Sequence, residues 1–268
     1  MPFTFSHPAA VLPIHSVLKK WIALPALAIG SMVPDAAYYL PMPEHFKESS
    51  HTVLGTFSSS LPLGILVLLF FYWIGEETVF LLPSPHREAL QGRIKIPAPR
   101  IREVLLVVAG IVLGAWTHVV WDWFTHDEGW AAQRVRWLDT VLLRNRVPGF
   151  NTLQLVSTLF GLCVLLYVYS KWMRSRGFRP WKLQRPTWRL YLWLGVFATC
   201  FAEAAIESHA IQAVLAMTSP YFLHIRHAGL LFVTNSVRNV LVAVFAVSLG
   251  AKGLGLYSPS EARQETTP

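Results

Sequence analysis

Charge is scarce in this chain. Only 14% of its 268 residues are Asp, Glu, Lys or Arg, against about a quarter in an ordinary soluble domain. Cysteine is nearly absent. Cys163 and Cys200 both fall inside apolar runs, so they read as buried thiols, and a disulfide framework is excluded. There is no CxxC pair, no nucleotide-binding glycine loop and no serine elbow. These absences argue against thiol redox chemistry, nucleotide-driven chemistry and serine hydrolysis. No internal repeat stands out, which counts against the repeat-built transporters. The opening MPFTFSHPAAVLP has neither the basic start nor the apolar core of a cleaved signal peptide.

Apolar residues fill the space that charge leaves: 53% of the chain is hydrophobic. The apolar runs are continuous rather than alternating, which excludes a membrane barrel. The fold class is therefore all-α, a polytopic integral membrane helix bundle. Five transmembrane helices are expected, near residues 53–74, 103–124, 152–172, 187–217 and 229–250. A shorter run, 21–33, is cut off by Pro34 and reads as a re-entrant or interfacial N-terminal helix. Residues 1–20 read as irregular, because Pro2, Pro8 and Pro13 interrupt any helix. Residues 125–150, with Trp130, Trp137 and several arginines, suit an interfacial amphipathic stretch. Three regions follow: 1–172, 173–252 with two further membrane helices, and a disordered tail at 253–268. The net charge of +8 sits in the links between apolar runs, as topology requires. It points to membrane lipids as partners and not to nucleic acid. The oligomeric state stays open.

The few polar groups near the apolar runs carry the functional signal. In GAWTHVVWDWFTH, His118 and Asp122 are one helical turn apart on one face, and His126 follows a turn later. Imidazole and carboxylate at that spacing suit a divalent metal. Their plain alternative is a hydrogen bond that packs the helix. With five spans, His7, Asp35 and His51 before span one lie on the same membrane side as the end of span two. The candidate metal set is thus His7, Asp35, His51, His118, Asp122 and His126. Asp35 and His51 could instead be ordinary helix-end residues, and His7 and His126 could be plain interfacial groups. Oxygen and imidazole donors without thiolate fit zinc first, with manganese or iron as alternatives. Lys and Arg concentrate after spans one and three, which puts the site on the extracytoplasmic side, although Arg134, Arg136, Arg144 and Arg146 oppose that bias.

A second polar group stands in spans four and five: Glu203, Glu207 and His209, then Asn235, Arg238 and Asn239. Arg238 should form a buried pair with Glu207 or Glu203. Such a pair serves helix register, or Glu207 supplies a catalytic base and Arg238 binds a phosphate or anionic headgroup.

Five blocks, MPFTFSHPAAVLP, GSMVPDAAYYL, SHTVLGTF followed by LPLG, GAWTHVVWDWFTH and LQLVSTLFGL, resemble in order a family of bacterial membrane proteins described as domain of unknown function 4184. The resemblance covers roughly residues 1–170 and implies a bacterial inner-membrane location. The PD near the start, the later His and the HxxxD are also similar to predicted membrane-bound metal-dependent hydrolases, and more faintly to all-helical zinc-dependent phospholipases C. That likeness implies hydrolysis of a lipid or lipid-linked phosphoester at the membrane surface. The rival expectations are a transporter whose polar cluster binds an ion, and a non-catalytic scaffold or partner subunit.

Overall fold

The computed structural model describes residues 3–94, 96, 100–139, 141–142, 147–180, 187–215 and 221–256. The expected tail from 257 onward and part of the basic link, 181–186, lie outside the described residues. In chain order the helices are α1 (Pro8–Leu18), α2 (Leu24–Met32), α3 (Glu44–Ser50), α4 (Leu61–Leu81), α5 (His86–Leu90), α6 (Ile101–Thr125), α7 (Arg136–Asp139), α8 (Gly149–Ser175), α9 (Trp188–Leu215) and α10 (Tyr221–Gly253). Tight turns occupy Thr4–Ser6 and Val33–Tyr38, and a wide π turn at Thr56–Ser60 leads into α4. Among the described residues, five helices are long and apolar enough to cross a membrane: Thr56–Leu81, Ile101–Thr125, Gly149–Ser175, Trp188–His209 and Leu231–Gly253. The chain is thus an all-helical membrane protein. Among the described residues the one departure is a two-residue antiparallel ladder that pairs Val141 with Pro148 and Leu142 with Val147.

The chain divides into two compact units. The first comprises Met1–Ala37, Pro41–Phe70 and Ile96–Trp172. The second comprises Tyr38–Leu40, Phe71–Lys95 and Met173–Pro268.

In the first unit the N-terminus departs from expectation. Residues 8–18 are helical, not irregular. Pro8 stands at the first helical position, where its missing N–H has no partner to lose. Pro13 costs one interior hydrogen bond, and the burial of Val11 against Ile22 and Leu27 offsets it. The short helix α2 lies against α6 rather than spanning. The contact is backbone to backbone. A Cβ at Gly30 would collide with the main chain of Ile111, and one at Gly114 with the carbonyl of Leu27. Gly110 meets Ala26 in the same seam. Small residues at such crossings are how helices approach closely where lipid offers no hydrophobic drive.

In the second unit, the end of α4 packs with α9 and α10 around Leu81, Trp193 and Ala251. The helix runs to Leu81, past the expected end near residue 74, because its acidic residues find partners. Glu76 accepts from the backbone N–H groups of Gly92 and Ile94, each at 2.9 Å. Glu77 pairs with Lys252 at 2.5 Å. The last carbonyls of α4, which a helix end leaves orphaned, accept from Arg189 Nε (Phe80 O, 2.9 Å) and Trp193 Nε1 (Leu81 O, 2.8 Å).

The glycine seam gives a direct test. Gly30→Ala should lower the melting temperature of the detergent-solubilised protein by the equivalent of about 1–3 kcal/mol of overpacking. Gly195→Ala, where a Cβ would meet nothing within 4 Å, should raise it by about 0.5–1 kcal/mol through helix propensity. Equal shifts in the two variants would contradict the close crossing.

Candidate metal centre

Four side chains of the first unit converge on one point. Asp35 comes from the tight turn after α2, His51 from the end of α3, and His118 and Asp122 from adjacent turns of α6. His118 is fully buried, Asp35 is 1% exposed and Asp122 is buried. His118 Nε2 lies 3.4 Å from Asp35 Oδ1 and 3.1 Å from Asp122 Oδ2. His51 Nε2 lies 3.4 Å from Asp35 Oδ1 and 3.6 Å from Asp122 Oδ2. One ligand atom from each of the four lies within 4.8 Å of every other. A tetrahedral metal with bonds of about 2.0–2.1 Å separates its ligand atoms by about 3.3–3.4 Å. The four histidine-to-carboxylate separations bracket that value.

The orientation of the rings is decided by backbone. His118 Nδ1 donates to the carbonyl of Ser31 at 2.8 Å. That carbonyl can only accept, so the proton is on Nδ1 and Nε2 is left facing two carboxylates. His51 repeats the arrangement, with Nδ1 donating to the carbonyl of Lys47 at 2.9 Å. A second partner that fixes the tautomer of a ligating histidine is the usual companion of a metal site. Asp35 is held likewise: its Oδ2 accepts from the Thr4 hydroxyl at 2.6 Å, leaving Oδ1 for the cluster. Ser50 Oγ donates to the carbonyl of Pro34 at 2.9 Å and ties the end of α3 to the turn that carries Asp35.

The residues fit a divalent cation. His118 Nε2 and both carboxylate oxygens of Asp122 are buried without a hydrogen-bond partner, a costly state for polar groups. Two carboxylates of formal charge −2 and a dication make a neutral set. A buried Asp/His cluster able to hold a metal ion is therefore present. Thr4 and the carbonyls of Ser31 and Lys47 carry no sequence signal of this role, since their spacing to the ligands has no local pattern.

The other two predicted ligands flank the four. His7 stacks on His118, with ring centroids 3.9 Å apart and planes at 23°. Burial, reinforced by the neighbouring His118, pushes the His7 ring down from its ordinary 6.5 to about 3. His126 follows α6 and turns Nδ1 toward Asp122, 3.5 Å from Oδ1 and 3.3 Å from the backbone carbonyl. Burial also lowers the affinity of His126 for a proton. For Asp35, burial pushes the carboxyl up, but the adjacent His118 and His51 rings outweigh it and hold Asp35 below the ordinary carboxylate range.

In the second unit, Arg238 Nη2 meets Glu207 Oε2 at 2.6 Å, and Nε and Nη2 both donate to Asn239 Oδ1 at 3.3 Å. The partner is Glu207 and not Glu203. The pair is not buried as expected: the two side chains are 40% and 44% exposed. The reason is periodicity. Tyr191, Gly195, Thr199, Glu203 and Glu207 recur every fourth residue and form one exposed stripe along α9.

The family model described as domain of unknown function (DUF4184) matches residues 1–251. The chain belongs to the DUF4184 family. The match continues well past residue 170, where the recognisable sequence blocks end, and takes in α9 and nearly all of α10. No curated relative and no solved structure matches the DUF4184 chain, so the likeness to metal-dependent hydrolases has no counterpart among the comparisons.

Two outcomes follow for the centre. Thr4→Val should weaken metal binding roughly ten- to hundredfold, as loss of an outer-shell partner does; Thr4→Ser should restore it. Unchanged affinity in Thr4→Val would contradict the role of the hydroxyl. For His7, the folded value lies below the unfolded one, so between about pH 3 and 6.5 the unfolded chain binds the extra proton. Stability of the metal-free protein should fall as pH drops through 6.5, and His7→Phe should flatten that slope in melting curves taken with chelator.

Proposed function

We propose that this DUF4184 protein is a membrane-embedded, metal-dependent hydrolase that acts on a lipid or lipid-linked phosphoester at the membrane surface. The observation that carries the proposal is the convergence of two carboxylates with two imidazoles whose Nδ1 protons are already committed to backbone carbonyls. Zinc is the first choice for that donor set and spacing, with manganese or iron as alternatives. The cluster stands at the end of a membrane-spanning helix, and the exposed Trp123 at that helix end, with Trp130 against it, suits the headgroup layer. The charge bias of the links favours the extracytoplasmic face of the bacterial inner membrane.

When bound, the divalent ion supplies Lewis-acid polarisation of a phosphoryl oxygen and acidifies a water. The protein residues do the rest. Asp35 and His118, fully enclosed, hold position. His51 is 22% exposed and His126 is 28% exposed, so substrate approaches from their side. His126, its Nδ1 turned toward Asp122 and its basicity lowered by burial, is neutral at pH 7 and takes the proton of the attacking water at Nε2.

A second reading has its own support. Four protein ligands at tetrahedral separations fill a four-coordinate ion, the pattern of structural zinc, which favours a non-catalytic role. Elemental mass spectrometry of the purified protein, beside Asp122→Asn and His118→Ala, separates the readings when paired with turnover of phosphoester lipids. About one metal per chain, lost in both variants, with turnover that tracks metal content, is the expected result. Metal without turnover selects the structural role. No metal in the wild type, even after incubation with zinc, manganese and iron, removes the centre altogether.

A further inference from the structure

The second unit contains a groove of about 730 Å³ between α9 and α10. It rests on residues that the metal centre does not use, and the inference from it stands or falls separately from the hydrolase reading.

The groove is amphipathic along its length. Trp188 and Arg189 open α9, and Lys252 closes α10; Arg189 lies over the Trp188 ring and Lys252 pairs with Glu77. These belong at a membrane–water boundary. Glu203 is fourteen residues from Arg189, and Arg238 is fourteen from Lys252, in helices that run in opposite directions. At about 1.5 Å per residue both lie about 21 Å from that boundary. In a hydrocarbon layer of about 30 Å they stand in the far half, about 9 Å short of the opposite headgroup region. From Glu203 back to Tyr191 the groove continues for about 18 Å, walled by Leu192, Val196 and Val242. Charge is grouped at one end, and an apolar trough fills the rest.

The charged end is specific. Arg238 is already balanced by Glu207, and its Nη1 has no partner among the described residues. Glu203, one turn from Glu207, is exposed and has no partner among the described residues. An unmatched carboxylate on a membrane-spanning helix is costly and marks a binding position. The three charged side chains sum to a formal −1, so an anionic headgroup alone meets no net attraction. A headgroup with a phosphate beside a primary amine satisfies both ends: phosphate on the guanidinium, ammonium on Glu203.

We propose that this groove binds a single phospholipid whose headgroup carries a primary amine, such as a phosphoethanolamine lipid, with one acyl chain lying along α9 from Val196 toward Tyr191. An amphiphile matches the separation of charge and apolar wall; a second copy of the chain in a two-fold contact would gather four carboxylates against two guanidinium groups, with no amine to meet the excess.

The test is native mass spectrometry of the delipidated full-length protein with added phosphatidylethanolamine, phosphatidylglycerol or phosphatidylcholine of matched chains. Phosphatidylethanolamine should bind with one molecule retained per chain, about tenfold more tightly than the other two. Glu203→Gln should abolish that preference. Gly195→Leu projects a side chain into the groove from a position where a Cβ meets nothing within 4 Å; it should keep the melting temperature and lose the lipid. Equal binding of the three lipids, retention of the preference in Glu203→Gln, or undiminished binding in Gly195→Leu would each overturn the proposal. So would a dimer that Gly195→Leu disrupts while no lipid is retained.

Discussion

The crossing of α2 over α6 has no side chain between the two backbones at Gly30 and Gly114. That closeness is what lets the carbonyl of Ser31, the next residue after Gly30, reach His118 Nδ1, one turn past Gly114. A crossing one side chain wider would leave the imidazole without its partner and free to rotate. It would also draw the turn that bears Asp35 away from α6. The centre therefore depends on a packing distance between two helices. The α6 motif does not produce it alone.

Around that crossing the first unit spends its polar groups sparingly. Each imidazole uses one nitrogen on backbone and presents the other to the same two carboxylates. Asp35 divides its two oxygens between Thr4 and the cluster. The outer partners come from three separate segments: the N-terminal turn, the end of α2 and α3. Removing any one of them loosens a different ligand, which is the behaviour of a preorganised site rather than of scattered helix-end residues. The asymmetry of exposure, with Asp35 and His118 enclosed and His51 and His126 partly open, gives the cluster a wall and a mouth.

The second unit treats charge in the opposite way. Glu76 and Glu77 are matched within the protein at the end of α4, where a helix terminus and Lys252 are at hand. Glu203 and Glu207 lie instead on an outward stripe of α9, and Arg238 of α10 meets Glu207 there. Matching the first group lets α4 run on into its polar end. Leaving the second group outward creates a polar face on membrane-spanning helices, which calls for something beyond the described side chains to meet it.

Composition and periodicity alone determined the helical membrane class and the positions of the five spans, because apolar length is a local property that a bilayer reads directly. The pairing of His118 with Asp122 was equally legible, since a spacing of four is one turn of helix. Asp35, His51 and His7 were suggested by topology, which sets a membrane side but not a distance. Only the tertiary structure decided that Asp35 and His51 join the α6 pair while His7 stacks outside it, because that depends on how closely two glycine-bearing helices approach. The roles of Thr4, Ser31 and Lys47 were invisible for the same reason: a hydroxyl and two carbonyls acquire meaning only from what folding sets beside them. The helix at residues 8–18 was misread because proline was judged by identity, whereas its effect depends on position within the helix. Depth along the helices left Arg238 with Glu207 or Glu203 as its partner; the choice of Glu207 and the exposure of the pair followed from how α9 and α10 pack and which stripe of α9 faces outward.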